Sequence, residues 1–389
     1  MKNIRPDINV CESLLKDLVR TRTSQPEGNE APLADWILDW LSSRDSFHRL
    51  ESRFLDHGGN RKTLIVKIKG TREGQGTAFA GHLDTVDCAE NKDWIHPPLE
   101  AVVEDGFLYG RGSADMKGGV AAMMLTAQHL MEAEKGPEEP VFFCFTADEE
   151  KDGIGALAVA ADPCMEEIKE LIICEPSARK TSYCEKGALW LKVEIQGISS
   201  HASRPEIGRN AIEYAMQFER KFRETVMAGE AHEELGENTM SVTRFNGGVM
   251  TNIIPDEAVM EMDIRTVPGT SHEELIRCAK KLAEDMGALE RPVPCKVTVM
   301  NNRPAVETKP ENPLVKRMRK AMGETGLDDG LRGHYFYTDA SQLVPGRDLP
   351  FVIAGPGDDK VAHCVNEKID LQEVAQMTEV YIRFLEEKE

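Results

Sequence analysis

Three acids, Asp148, Glu149 and Glu150, stand side by side directly after the apolar run PVFFCFTA. Like charges repel and are costly away from water, so acids at the tip of a buried strand need counter-charge. Other chemistry-bearing residues stand at comparable points. His82 and Asp84 follow TAFAG, Glu175 follows LIIC, and His363 follows FVIAGPGDDKVA. Asp115 lies in GRGSADMKGG, just ahead of a helical stretch. Ligands of open α/β sheets gather beyond the carboxyl ends of the strands. Two imidazoles and several carboxylates would therefore converge on one edge.

His82, Asp115, Glu150, Glu175 and His363 make a set of five ligands. A single zinc usually takes three or four protein ligands. Five fit two metals if Asp115 bridges them with its two oxygens. Imidazole with carboxylate suits Zn2+ first, with Co2+ or Mn2+ as alternatives. Glu149, beside a ligand but free of the metal, is placed to act as general base and proton shuttle. Asp84, two residues after His82, is placed to hold the second nitrogen of that ring. Each feature alone has an ordinary reading: a surface Glu-Glu pair, a helix N-cap at Asp115, a turn histidine at His363. The segment GRGSADMKGG fails both the G-x-G-x-x-G and the P-loop patterns, which sets a phosphate cradle aside. What points to metal chemistry is the conjunction.

The elements that must position these groups alternate. Helical spacing covers 10–19 and 31–41, and 116–133 reads as a long apolar helix. Short β-rich runs cover 63–68, 77–80, 141–145, 171–174 and 350–354, which argues an α/β sheet with helices on both faces. From Tyr183 the order becomes β-α-β-β-α-β, that of an open α+β sandwich of ferredoxin-like type. The expected organisation is a catalytic domain in two parts, 1–182 and 300–389, with an inserted domain at 183–299. Glu274 and Glu373 each follow a helix-opening Ser271 or Asp370 by three residues, a capping-box pattern.

Composition excludes several classes. The chain of 389 residues has a net charge of −20, which disfavours nucleic acid and anionic membrane as partners. Its nine cysteines form no C-x-x-C pair and fit a reducing compartment. The N-terminus lacks a signal-type apolar segment, and no apolar run reaches a membrane span, so the expected location is cytoplasmic.

Together GHLDTVD, GRGSADMKGG, TADEE, CEPS and GPGDDKVAH resemble, in order and spacing, the M20 metallopeptidase family, the group of acetylornithine deacetylase, succinyl-diaminopimelate desuccinylase and carboxypeptidase G2. The resemblance covers nearly the whole chain. It implies an α/β, zinc-peptidase-like catalytic domain with a central mixed sheet, and an inserted α+β ferredoxin-like lid of the kind that commonly dimerises. It implies His82, Asp115 and Glu175 on one metal, and Asp115, Glu150 and His363 on the other, with Glu149 as general base. In GISSHASRPEIGRNAI it implies that His201 reaches the partner subunit's site and stabilises an oxyanion. GGVMTNIIPD supplies Asn252 as a substrate contact, and DIRT supplies Arg265 as a clamp on a substrate carboxylate. Two departures bear on substrate. Ala340, Ser341 and Gln342 follow Asp339 where the desuccinylase pattern carries an arginine, which argues against a strict desuccinylase. Tyr335, Phe336 and Tyr337 stand where the better-known deacetylases are glycine-rich. The expected function is a co-catalytic di-zinc amidohydrolase, acetylornithine-deacetylase-like, cleaving the amide of an N-acyl amino acid. The alternatives are a dipeptidase or carboxypeptidase with the same centre, and an inactive metal-dependent binding protein, which would not need Glu149.

Overall fold

The computed structural model describes residues 4–88 and 93–387. The chain forms two compact units. The first runs to Tyr183 and takes up Glu307–Arg332 and the chain from Thr338 on; the second comprises Cys184–Val306 and Gly333–Tyr337. Among the described residues no helix is long and apolar enough to cross a membrane.

The first unit is built on a mixed sheet. Its strands run in the order Leu50–Gly58, Arg61–Ile68, Val141–Thr146, Gly76–His82, Ile168–Pro176 and Phe351–Gly355. The first two pairings are antiparallel and the next three parallel. The parallel strands are buried along their length, as sheets covered on both faces require. Phe79 stacks on Phe143 at 5.4 Å and meets Tyr381 of the last helix, Leu371–Glu386, at 4.9 Å. That helix packs against Gly118–Glu132 and Ile8–Arg20.

The helix expected from Met116 begins two residues later, at Gly118. Asp115 and Met116 leave helical geometry, with Asp115 at φ −117° and ψ 94°. Gly119 explains the close seating that follows. A Cβ there would stand 2.1 Å from the carbonyl oxygen of Cys174, so only glycine lets the helix start lie on the strand that carries Glu175.

The second unit carries a four-stranded antiparallel sheet in the order Thr239–Gly247, Glu257–Thr266, Gly187–Gln196, Cys295–Arg303. With helices Ala211–Val226 and His272–Gly287, this is the β-α-β-β-α-β arrangement of a ferredoxin-like sandwich. Alternate residues Leu189, Leu191, Val193 and Ile195 face Phe218, Phe222, Leu275 and Ala279 in one core. The last strand runs to Arg303, four residues past the expected end at 299, because Asn302 and Arg303 still pair with Leu189 and Ala188. Ser271 Oγ accepts from Glu274 N at 3.2 Å and Asp370 accepts from Gln372 N at 2.9 Å, so both caps form. Glu373 does not close a capping box. Its carboxylate accepts from Gly357 N at 2.8 Å and pairs with Arg179, tying down the GPGDD loop.

Candidate active site

Parallel pairing aligns the carboxyl ends of the strands that carry the chemistry. His82 stands in register with Thr146, two residues short of the acid triplet, and Gly355 with Pro176, next to Glu175. Five side chains meet there. His82, Asp115 and Glu175 form one group and Asp115, Glu150 and His363 another, with ligand atoms within 4.8 Å of one another in each. Asp115 belongs to both. Its Oδ1 lies 3.1 Å from His82 Nε2, and its Oδ2 lies 3.3 Å from His363 Nε2. Glu175 Oε1 stands 3.3 Å from His82 Nε2, and Glu150 Oε2 stands 2.9 Å from His363 Nε2.

These separations match the edge of a tetrahedron around a cation with bonds of about 2.0 Å, an edge of about 3.3 Å. The donor set therefore fits two divalent ions that share one carboxylate. Glu175 Oε2 and Glu149 Oε1 are buried with no hydrogen-bond partner, which fits groups whose partner is a cation or a reacting molecule. Among the protein groups alone, the histidines take up the counter-charge. Burial disfavours a charged His82, but the Glu175 carboxylate, a hydrogen bond to Asp115 and the nearby Asp84 carboxylate override it and hold the ring well above the usual imidazole range. Hydrogen bonds to Asp115 and Glu150 push His363 up to about 11. Burial, then Asp115, pushes Glu175 up to about 8. Burial likewise lifts Glu149 well above the usual carboxylate range, with His82 pulling the other way.

Asp84 acts differently from a simple partner of His82. The ring nitrogen Nδ1 meets the backbone carbonyl of Asp84 at 2.9 Å, whereas the carboxylate oxygen Oδ1 stands at 3.6 Å. The Asp84 carboxylate instead accepts from the backbone N–H groups of Glu149 at 3.0 Å and Glu150 at 3.2 Å. It thus fixes the turn that carries both acids. That turn needs fixing, because Asp148 sits at φ 67°, a left-handed conformation costing a non-glycine residue roughly 1–3 kcal/mol.

Asp115 is held in a comparable way by Glu367, a residue the sequence reading passed over. The fully buried Glu367 carboxylate accepts from Gly112 N, Ala114 N and Asp115 N at 2.9–3.0 Å, and from Arg111 Nη1 at 2.7 Å. Nothing in the sequence marks Glu367 except its place four residues after His363.

In the second unit, His201 lies on a two-stranded ribbon, Ser200–His201 with Ile253–Ile254, and Asn252 in the turn that leads into it. His201 pairs with Ile253, and Ala202 N donates to Asn252 O at 3.0 Å. His201 is exposed, and its Nδ1 meets Ser203 Oγ at 2.8 Å. Arg265 lies apart on the larger sheet and forms a two-point ion pair with Asp263, at 2.8 and 3.0 Å. Tyr337 lies beneath the guanidinium groups of Arg265 and Arg303, at 6.0 and 5.0 Å. Tyr335 is 60% exposed, so it is no core residue.

The sequence profile of peptidase family M20/M25/M40 matches residues 78–387. A probable succinyl-diaminopimelate desuccinylase of Staphylococcus aureus strain N315 is 28% identical to the chain, over 96% of it and 97% of the relative. A solved tripeptidase from Staphylococcus aureus subsp. aureus Mu50 superposes with a TM-score of 0.77 at 22% identity, covering 98% of each chain. A dinuclear metal-binding M20 peptidase from Bacillus subtilis superposes with a TM-score of 0.71 at 16% identity, covering 97% of each.

Proposed function

The chain belongs to peptidase family M20/M25/M40 and is a hydrolase of amide bonds, and from that premise we propose that it is a cytoplasmic co-catalytic di-zinc enzyme cleaving the amide of an N-acyl amino acid. The observation that carries this reading is the shared carboxylate: Asp115 turns one oxygen to the His82 group and the other to the His363 group. In this reading His82, Asp115 and Glu175 hold one ion, and Asp115, Glu150 and His363 hold the other. The bound pair supplies Lewis acidity and an acidified water at neutral pH. Glu149 takes the proton of the attacking water on its buried Oε1 and delivers it to the leaving amine. Asp84 holds the backbone of Glu149 and Glu150, and through its carbonyl fixes the His82 tautomer with the proton on Nδ1. His201 donates to the developing oxyanion in the partner subunit's site, and Asn252 beside it contacts substrate. Arg265 uses Nε and Nη2 on Asp263, which leaves Nη1 for a substrate carboxylate.

The relative's name points to a succinylated substrate, itself an N-acyl amino acid. Here Ala340 and Ser341 after Asp339 are buried and carry no charge, which disfavours a second carboxylate clamp at that place. Peptidase action by the same centre is the second reading, favoured by the fold shared with a tripeptidase. A panel of N-acetyl amino acids, N-succinyl amino acids and dipeptides offered to the zinc-loaded protein decides. We expect the N-acetyl compounds to be hydrolysed fastest. Turnover confined to dipeptides would overturn the deacylase reading, and turnover of none would overturn the enzyme reading.

The second unit supports a homodimer. Thr239–Gly247 is an edge strand with exposed side chains, and the neighbouring helix adds Met216, 61% exposed, beside Val242 and Phe245. An unpaired strand edge with apolar groups along it invites a second copy. Sedimentation should give a dimer for the parent and a monomer for the double variant Met216→Lys, Phe245→Glu. A monomeric parent at micromolar concentration would refute the assignment.

A further inference from the structure

Glu149 has no hydrogen-bond partner for Oε1, so no protein contact at that oxygen aims it. Its aim comes from its backbone, and the hydrogen bonds that hold that backbone lead back to Arg61. Arg61 opens the strand Arg61–Ile68, whose pairing with Val141–Thr146 ends at Leu64↔Phe145, just before the turn that carries Asp148. The Arg61 side chain is 11% exposed. Its Nη1 pairs with Glu30 Oε1 at 3.0 Å and with Asp148 Oδ1. Its Nη2 donates to Gln25 Oε1 at 2.8 Å and to the carbonyl of Pro26 at 3.0 Å. Held in this way, the Gln25 amide points its Nε2 at Asp84 Oδ2, 2.8 Å away, and at Asp148 Oδ1, 3.1 Å away. Asp84 in turn accepts from the N–H groups of Glu149 and Glu150.

We propose that Arg61, acting with Gln25, is the positioning residue of the general base: the pair clamps Asp148 and Asp84 and so sets where the Glu149 carboxylate stands. The proposal rests on the reading of Glu149 given above. A planar guanidinium suits the task because it offers several donors in fixed directions to four acceptors at once. Lysine can meet Asp148 and Glu30 but cannot also hold Gln25 and Pro26 in the same geometry. Neither Arg61 nor Gln25 supplies a ligand atom, and of the five ligands only Glu150 has its backbone held by the same Asp84 carboxylate while its side chain keeps its contact with His363, so their loss should leave the metals in place in zinc-equilibrated protein. The bland rival is that Arg61 only neutralises Glu30, Asp84 and Asp148, a structural role that would not depend on Glu149.

The test is a double-mutant cycle on the zinc-loaded full chain, using the compound hydrolysed fastest in the substrate panel. Arg61→Met should lower kcat by about 10- to 100-fold, the scale on which small misplacement acts, with KM and bound metal unchanged. Arg61→Lys should recover part of the loss. In the Glu149→Gln background, Arg61→Met should change residual turnover less than twofold, because the residue acts through a base already removed. If Arg61→Met proves too unstable, Gln25→Met leaves the arginine ion pairs intact and should show the same kcat loss and the same silence behind Glu149→Gln. Losses that multiply in the double variant, a loss carried by KM or by metal release, or single-variant turnover within twofold of the parent would each overturn the proposal. Near-normal turnover of Glu149→Gln alone would instead overturn the reading of Glu149 on which it rests.

Discussion

Glu149→Gln should keep both metals and lose turnover by roughly a thousandfold or more, the scale of a removed general base. The amide is nearly the shape of the carboxylate, so packing should survive. Glu149 is not in either ligand group, so metal affinity should survive as well. Only the capacity to accept and return a proton at Oε1 is lost. The measurement is kcat on the folded, metal-loaded variant, with metal content read in the same sample. Turnover within tenfold of the parent would move the base elsewhere. The nearby buried acid to examine next is Asp339, which accepts from Thr146 Oγ1 and adds to the raised pKa of Glu149.

The second large effect is expected at the shared carboxylate. Asp115→Asn removes one negative charge and turns one of the two oxygens that face the separate histidines into an amide nitrogen, which cannot ligate. Both groups of three lose a ligand atom or its charge at once. Bound metal should fall from two equivalents to well below one, and turnover should fall to background. A variant at Glu175 or His363 should by comparison release one ion before the other, because each belongs to a single group. Their surroundings differ too: the side chain of His363 is 54% exposed whereas His82 and Glu175 are buried. Asp115→Asn could also act by unfolding, so thermal unfolding belongs in the measurement. The Glu367 cradle holds the backbone of residue 115 and does not depend on its side chain, so the variant should stay folded. Two full equivalents of metal in Asp115→Asn would refute the bridging role.

Much of the fold can be read from the chain because burial and periodicity agree. The runs at 141–145 and 171–174 are continuously apolar, and they form strands buried on both faces. The β-α-β-β-α-β order of the second unit follows from alternation in its strands and 3.6-residue spacing in its helices. The meeting of His82, Asp115, Glu150, Glu175 and His363 is readable for a related reason. His82 and Glu175 stand at strand ends, Asp115 just ahead of a helix, and Glu150 and His363 in the loops that follow parallel strands, which bring such points to one edge.

What escapes the sequence has no local period. Arg61, Gln25 and Glu367 find their partners far along the chain, as Glu367 does at Gly112 and Asp115, and no spacing rule reports such a bond. The side chain of Asp84 points to the backbone of residues 149 and 150 rather than to the ring two residues before it. Glu373 fits a capping box by sequence yet turns to Gly357, because a buried loop N–H and Arg179 compete for it. The helix after Asp115 starts late because Asp115 gives up helical geometry where its two oxygens face different histidines. Gly333–Tyr337 joins the second unit without any break in composition.

Metal content of the purified, zinc-equilibrated parent, measured by elemental analysis against protein concentration, tests the central claim most directly. Two equivalents per chain is the expected result. One equivalent or none, in protein that is folded, would contradict a centre built from two ions around Asp115.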